Sequence, residues 1–450
     1  MSGIMDPPPL PPRTGSTAML KILAIGILGC CLLIPLLLLG GLVEERATRR
    51  DQVVAETTAS VGAPQTVGGI VLDVPYEVPE RNPNGVVTLV TRHAYILPEQ
   101  LSIEATLNPE VRRRSQYTAI VYRTAIKMRG TLAAPDVAKL APDATTVHWA
   151  RATVTVEIKD LRGTLAVSPL RWGDREIALE PMNETSVFAH GVRGLTPLTD
   201  DATGPRPFAI DLTLAGSQSL RFVPSGKATE VSLSSPWPDP GFTGAFLPAN
   251  RTVAPTGFTA TWQVSYLART FPHTWLSTAT SVDALDQQRT ASSFGVNLVQ
   301  TVDQYQQTAR AVKYGMLFVL LTFTIFLLWE LLKDLRLHPV QYVLIGCALV
   351  VFYLLLLSLA EQMAFALAYL IAAGATVVLV AAYSASVLRA GLRGAFGIGS
   401  WLSGLYGVLY VLLRLEDLAL LVGSVFVFLV LAVVMYLTRR FDWNDMRVPA

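Results

Sequence analysis

The chain has 450 residues, of which 51% are hydrophobic and only 16% charged, with a formal net charge of +2. Soluble domains carry about a quarter charged residues, so this balance points to a membrane protein. So small and evenly spread a charge speaks against a nucleic-acid partner. Of the three cysteines, Cys30 and Cys31 share one apolar run and Cys347 lies in another, which leaves no disulfide framework or CxxC site in the long polar stretch between.

Residues 1–21 include the proline-rich run MDPPPLPP at 5–12, read as a disordered cytoplasmic tail. Residues 22–43 are apolar from end to end, enough to cross a hydrocarbon core of about 30 Å at about 1.5 Å per residue. The run is longer than a typical signal-peptide core and lacks an A-x-A cleavage pattern, so it reads as an uncleaved signal-anchor helix.

Residues 44–313 are expected to form one large domain outside the membrane. Its ends, EERATRRDQVVAE and DQYQQTARAVKYG, read as helical stalks continuing the neighbouring spans, with Asp303 as an N-cap. Between them the hydrophobic period changes to two. In TVTVEIK, Val154, Val156 and Ile158 alternate with Thr153, Thr155, Glu157 and Lys159; FAIDLTL and FTATWQVSY repeat the pattern. Similar runs near 69–75, 86–96, 101–107, 117–132, 161–167, 219–224 and 228–233 are broken by Gly, Pro, Asn and Asp. Short strands buried on one face predict an antiparallel sandwich or a similar β-rich (α+β) domain.

Within it, SSPWPDPGFTGAFLP at 234–248 carries four prolines, which suit no central strand, and three large aromatics, Trp237, Phe242 and Phe246. One reading is a stiff loop whose rings plug the end of the sheet. The other is a docking surface, where rigid aromatics bind at low entropy cost.

Five further apolar runs, 314–332, 339–360, 363–382, 395–414 and 418–437, predict a C-terminal helical bundle, with 438–450 as a tail. Lys333, Arg336, Arg389, Arg393, Arg439, Arg440 and Arg447 fall on one side, and Glu361, Gln362, Glu416 and Asp417 on the other with Arg414. By the positive-inside rule both termini are cytoplasmic and the large domain lies outside the membrane.

Polar residues in or near the spans are the candidates there, because each is costly in lipid. Glu330 is expected to pair with Lys333 at the interface, and Glu361 to be solvated in a loop. Ser400/Gly404 and Ser403/Gly407 read as a helix-packing face. RLHPVQY at 336–342 reads as a tight turn in which Pro339 starts a helix, with Arg336, His338 and Gln341 as candidate contacts.

None of the five histidines has metal-ligand spacing, and GxSxG, Walker A, GxGxxG and HExxH patterns are all missing from the sequence. No cofactor or metal is expected; a triad assembled by the fold stays open, since triads are set by geometry.

LRFVPSGKATEVSLSSPWPDPGFTGAFLP followed by GFTATW, together with DQYQQTARAVKYG leading into LRLHPVQYVLIGCALVVFYLLLLSLAE, resembles the CreD (Cet) family of bacterial inner-membrane proteins. ERATRRDQV after the first span is similar too. The resemblance implies one helix, a large periplasmic domain and a C-terminal bundle, with a role in envelope integrity and colicin tolerance. The expected role is therefore non-enzymatic, through contacts of the periplasmic domain with the bilayer or an envelope protein, in an oligomeric state left open. Rivals are a transporter or lipid-handling protein working through the bundle, a transmembrane sensor, and a periplasmic hydrolase.

Overall fold

A computed structural model describes residues 16–59, 61–81, 86–114, 117–134, 136–183, 190–198, 204–278, 281–298, 304–333, 338–387, 391–415 and 418–439. The proline-rich tail, Asp303, Arg336, Glu416 and Asp417 lie outside them. The chain divides into two compact units, one of Met1–Arg50 with Val302–Ala450 and one of Asp51–Thr301. This division falls inside the expected 44–313, because the first and fourth helices continue past their apolar runs.

Eight α-helices are described: α1 Ser16–Ala59, α2 Val137–Leu140, α3 Val282–Ala291, α4 Gln304–Lys333, α5 Pro339–Ala360, α6 Phe365–Val387, α7 Gly391–Arg414 and α8 Ala419–Thr438. Among the described residues α1 and α4 to α8 supply six helices long and apolar enough to cross a membrane. In the helical unit α1 approaches α5 closely: a Cβ at Gly346 would collide with Leu32 and press on Phe323. Small residues let membrane helices make this kind of contact. The start of α5 is set by a capping box, in which His338 Nδ1 accepts from the Val340 N–H and Gln341 Oε1 accepts from the His338 N–H. Pro339 takes the first helical position, where its missing donor costs nothing.

The second unit is a sandwich of two sheets, of ten and nine strands among the described residues. The period-two pattern turns one face of each strand inward. Ile70, Leu72, Val74 and Tyr76 of strand Gln65–Arg81 meet residues such as Ile103, Met128, Leu212 and Trp262 in one core. Full burial of each such side chain contributes about 1.5–3 kcal/mol. Most pairings are antiparallel, but two are parallel: Gln65–Val67 with Leu220–Phe222, and Gln100–Thr106 with Ala228–Ser234. The sandwich is thus mixed rather than wholly antiparallel. Helix α3, capped by the Ser281 hydroxyl, places Leu285 in a smaller cluster with Val71, Tyr95, Phe271 and Trp275. Val71 and Tyr95 alternate with the core residues Leu72 and Ala94, so this cluster covers the outer face of the ten-stranded sheet.

The proline-rich stretch is not wholly a loop. Pro240–Gly244 forms an edge strand paired with Phe294–Leu298. An edge position accepts Pro240, since among the described residues the strand pairs on one side only.

Candidate functional site

Two aromatics of that stretch, Phe242 and Phe246, are built into one seam, and Trp237 packs separately against the core. Phe242 meets Phe258 and Trp262 edge-on, with centroids 5.6 and 5.9 Å apart, and Phe246 meets Phe294 at 5.8 Å. Trp262 Nε1 donates to the Phe246 carbonyl, and Trp237 Nε1 to the Asp239 carbonyl. All three rings are half-buried against the main core. Beside them runs Asn250–Ala254, the edge strand of the nine-stranded sheet. Arg251 sets its guanidinium 5.9 Å from the Phe242 ring, while Leu247 and Val253 stand 69% and 49% exposed. Among the described residues two sheet edges therefore flank these aromatics, with Val253 exposed on one and Leu247 between them. Such edges pair readily with other chains unless they are blunted.

On the outer face of the ten-stranded sheet, two imidazole–carboxylate pairs flank Pro75. His93 Nδ1 lies 2.7 Å from Asp73 Oδ1, and His148 Nε2 lies 3.0 Å from Glu77 Oε1. The Asp73 carboxylate raises the His93 pKa above the usual imidazole range. Ser277 Oγ accepts from the His93 backbone N–H, and among the described hydrogen bonds no side-chain nucleophile engages either ring. Among the described residues neither pair is joined to a nucleophile in the way a base would be.

A buried cationic network lies on the same side. Arg289, 1% exposed, pairs with Glu157. Burial pushes the Glu157 carboxyl up, and Arg289 beside it opposes the shift. Arg269 Nη1 donates to the carbonyls of Pro224, Ser225 and Gly226, and its guanidinium lies 4.5 Å from the Phe271 ring. Burial, then the neighbouring Arg289, brings Arg269 down to about 10. His273, next to Arg269, is lowered to about 4, first by burial and then by that cation. Elsewhere in the sandwich a cavity of about 740 Å³ is lined by Arg175, Arg193 and Arg206 but equally by Asp174, Glu176 and Glu180. Both signs balance, so it selects no charge.

In the helical unit, the buried Glu330 accepts from the Tyr342 hydroxyl at 3.1 Å. Its described partner is thus a tyrosine one helix away; the Lys333 side chain is outside the described set. Glu361 is half-buried at the C-cap of α5, where Tyr305 Oη donates to it at 3.2 Å and Arg50 lies 5.3 Å from the Tyr305 ring. Arg414 binds Tyr410 Oη through Nε and Nη2, at 3.2 and 3.0 Å. His338 and Gln341 serve the cap of α5, while Arg336 is not described. The sequence pattern missed the imidazole–carboxylate pairs and the arginine network, because their partners lie on strands far apart in the chain.

These features define a multi-pass membrane protein with a large two-sheet domain between its first and second candidate spans. The chain belongs to the family described as inner membrane protein CreD, whose model matches residues 17–444. It is 32% identical over 426 residues to the inner membrane protein CreD of Escherichia coli (strain K12), covering 93% of this chain and 92% of that one. Among solved structures, an M1 zinc metallopeptidase from Deinococcus radiodurans is 12% identical over 37% of this chain and 38% of its own, with a TM-score of 0.18. At that score the likeness carries no argument.

Proposed function

We propose that this chain is a non-enzymatic envelope-integrity factor whose β domain lies in the periplasm, with both termini cytoplasmic, and works by contact. One observation carries the reading: the strand Asn250–Ala254, a sheet edge among the described residues, with Leu247 and Val253 exposed beside the aromatic seam. Exposed apolar side chains on an open edge mark an interaction surface. The basic residues on alternate loops support the orientation, and the family resemblance supports the theme of envelope integrity.

The test is survival in detergent and β-lactam of a strain lacking the gene, complemented at matched protein level. Leu247→Glu with Val253→Glu is expected to fail to rescue, and Glu330→Gln with Glu361→Gln to rescue. The opposite pattern would move function into the helical bundle and favour a transporter or lipid-handling protein.

A further inference from the structure

Glycines in the helical unit serve two purposes. Gly346 is a contact glycine, since a Cβ there would strike Leu32 of α1. Gly374 on α6 and Gly404 and Gly407 on α7 differ, because a Cβ at any of them meets nothing within 4 Å. They leave space instead of closing a contact. Ser403 and Gly407, read from the sequence as a helix-packing face, line an open groove between α6 and α7. The groove holds about 600 Å³, within the range of about 300–1,000 Å³ typical of small-molecule sites.

Its floor is formed by Tyr369, Ala373 and Tyr406, all buried, and its rim by Leu370 and Val378, each 68% exposed. The Tyr369 hydroxyl is occupied, donating to the Tyr406 carbonyl at 2.6 Å. The wall is therefore apolar over most of its length. Toward one end stands Tyr410, its ring tilted against Tyr369 with centroids 5.2 Å apart, and one helical turn further is Arg414. The exposed Arg414 guanidinium is fixed by two hydrogen bonds to Tyr410 Oη and sits 5.5 Å from that ring. No carboxylate among the described residues forms an ion pair with it. Two bonds to one phenol leave the guanidinium fork with further N–H donors.

We propose that this groove binds a phospholipid, with one acyl chain between α6 and α7 and the phosphodiester on Arg414. Charge complementarity selects this occupant: a guanidinium matches a phosphate through paired charge-assisted hydrogen bonds, and the apolar groove beside it matches a chain. A free anion would leave the groove unused, and a packed apolar helix would supply no counter-charge to Arg414, which pairs with no carboxylate among the described residues. The inference is independent of the role given to the β domain.

The test is native mass spectrometry of the full chain in detergent, titrated with phosphatidylglycerol or with a galactosyl diacylglycerol of the same tails and no phosphate. The wild-type chain is expected to bind phosphatidylglycerol about tenfold more tightly, the scale of a charge-assisted contact. Arg414→Gln should abolish that preference and leave glycolipid binding unchanged. Gly374→Leu should weaken both lipids together. Equal binding of the two lipids by the wild type, or a preference that survives Arg414→Gln, overturns the proposal. So does a Gly374→Leu chain that keeps its lipid but changes oligomeric state, which would make the groove a helix interface. Should Gly374→Leu fail to fold, the Arg414→Gln comparison decides alone.

Discussion

Replacing Arg289 by Met leaves the Glu157 carboxylate on a buried face without its cation. Arg289 is 1% exposed and the Glu157 side chain 14%. Removing one member of a buried pair costs about 3–5 kcal/mol, and the residual exposure of Glu157 places this case near the lower end. For a domain of this size each kcal/mol moves the midpoint about 2–4 °C, so thermal unfolding should drop by about 6–12 °C. Replacing both partners, Arg289→Met with Glu157→Leu, should recover most of the loss, because no buried charge remains. The loss should also depend on pH. Burial already holds the Glu157 carboxyl above its ordinary value of 4.5, and Arg289 is the first cause opposing that shift. Without Arg289 the folded-state value rises further. A carboxyl raised in the folded state loses stability as pH climbs from the unfolded value through the folded one. The single variant should therefore be closer to wild type at pH 5 than at pH 8. Near-UV circular dichroism of the full chain in detergent reads both quantities. A single variant within about 1 kcal/mol of wild type at pH 8 would refute the reasoning, since a stranded buried charge cannot be that cheap.

Other expectations follow from the same packing. Phe294→Ala should cost about 3–5 kcal/mol, because Phe294 is fully buried between Phe222, Phe246 and Trp262, whereas the half-buried Phe242→Ala should cost less. Urea midpoints in the reverse order would show that the seam is not core. His273 is lowered from 6.5 to about 4, so the folded state favours its neutral form and stability should fall as pH drops through that window. His273→Gln should flatten the fall in a pH series of urea midpoints. His93 is raised, so its contribution is complete below about 6.5 and fades as pH rises through the folded value. His93→Gln should consequently lose more stability at pH 6 than at pH 9. In the bundle, Tyr342→Phe deprives Glu330 of a described donor and should cost about 1.5–3 kcal/mol in SDS unfolding, with Glu330→Gln recovering part of it.

The spans and the long strands could be read from sequence because their signals are local. An unbroken apolar run identifies α5, and alternation identifies Thr153–Ile158 and Gly257–Ser265. Short edge strands gave no such signal: Arg175–Ile177, Asn250–Ala254 and Thr274–Leu276 are brief and half polar. The parallel pairing of Gln100–Thr106 with Ala228–Ser234 joins segments too distant for any turn signature. The candidate site divides the same way. The aromatics of 234–248 are conspicuous in sequence, but that they meet Phe258, Trp262 and Phe294 depends on register. Arg269, Arg289 and Glu157 read as ordinary surface charges until α3 covers the sheet. Ser403 and Gly407 show the limit most clearly, since spacing identifies a small face on a helix but not whether a neighbour fills it.

A β domain working outside the membrane is most directly tested by labelling single cysteines in intact cells. Cys30, Cys31 and Cys347 are first replaced by Ser, and one cysteine is then introduced at Val253 or at Val340, both exposed. With the outer membrane permeabilised and the inner membrane intact, a charged maleimide should modify Val253→Cys fully, and Val340→Cys only after lysis. Labelling of Val340→Cys in intact cells, with Val253→Cys protected until lysis, would place the β domain in the cytoplasm and contradict the proposed role.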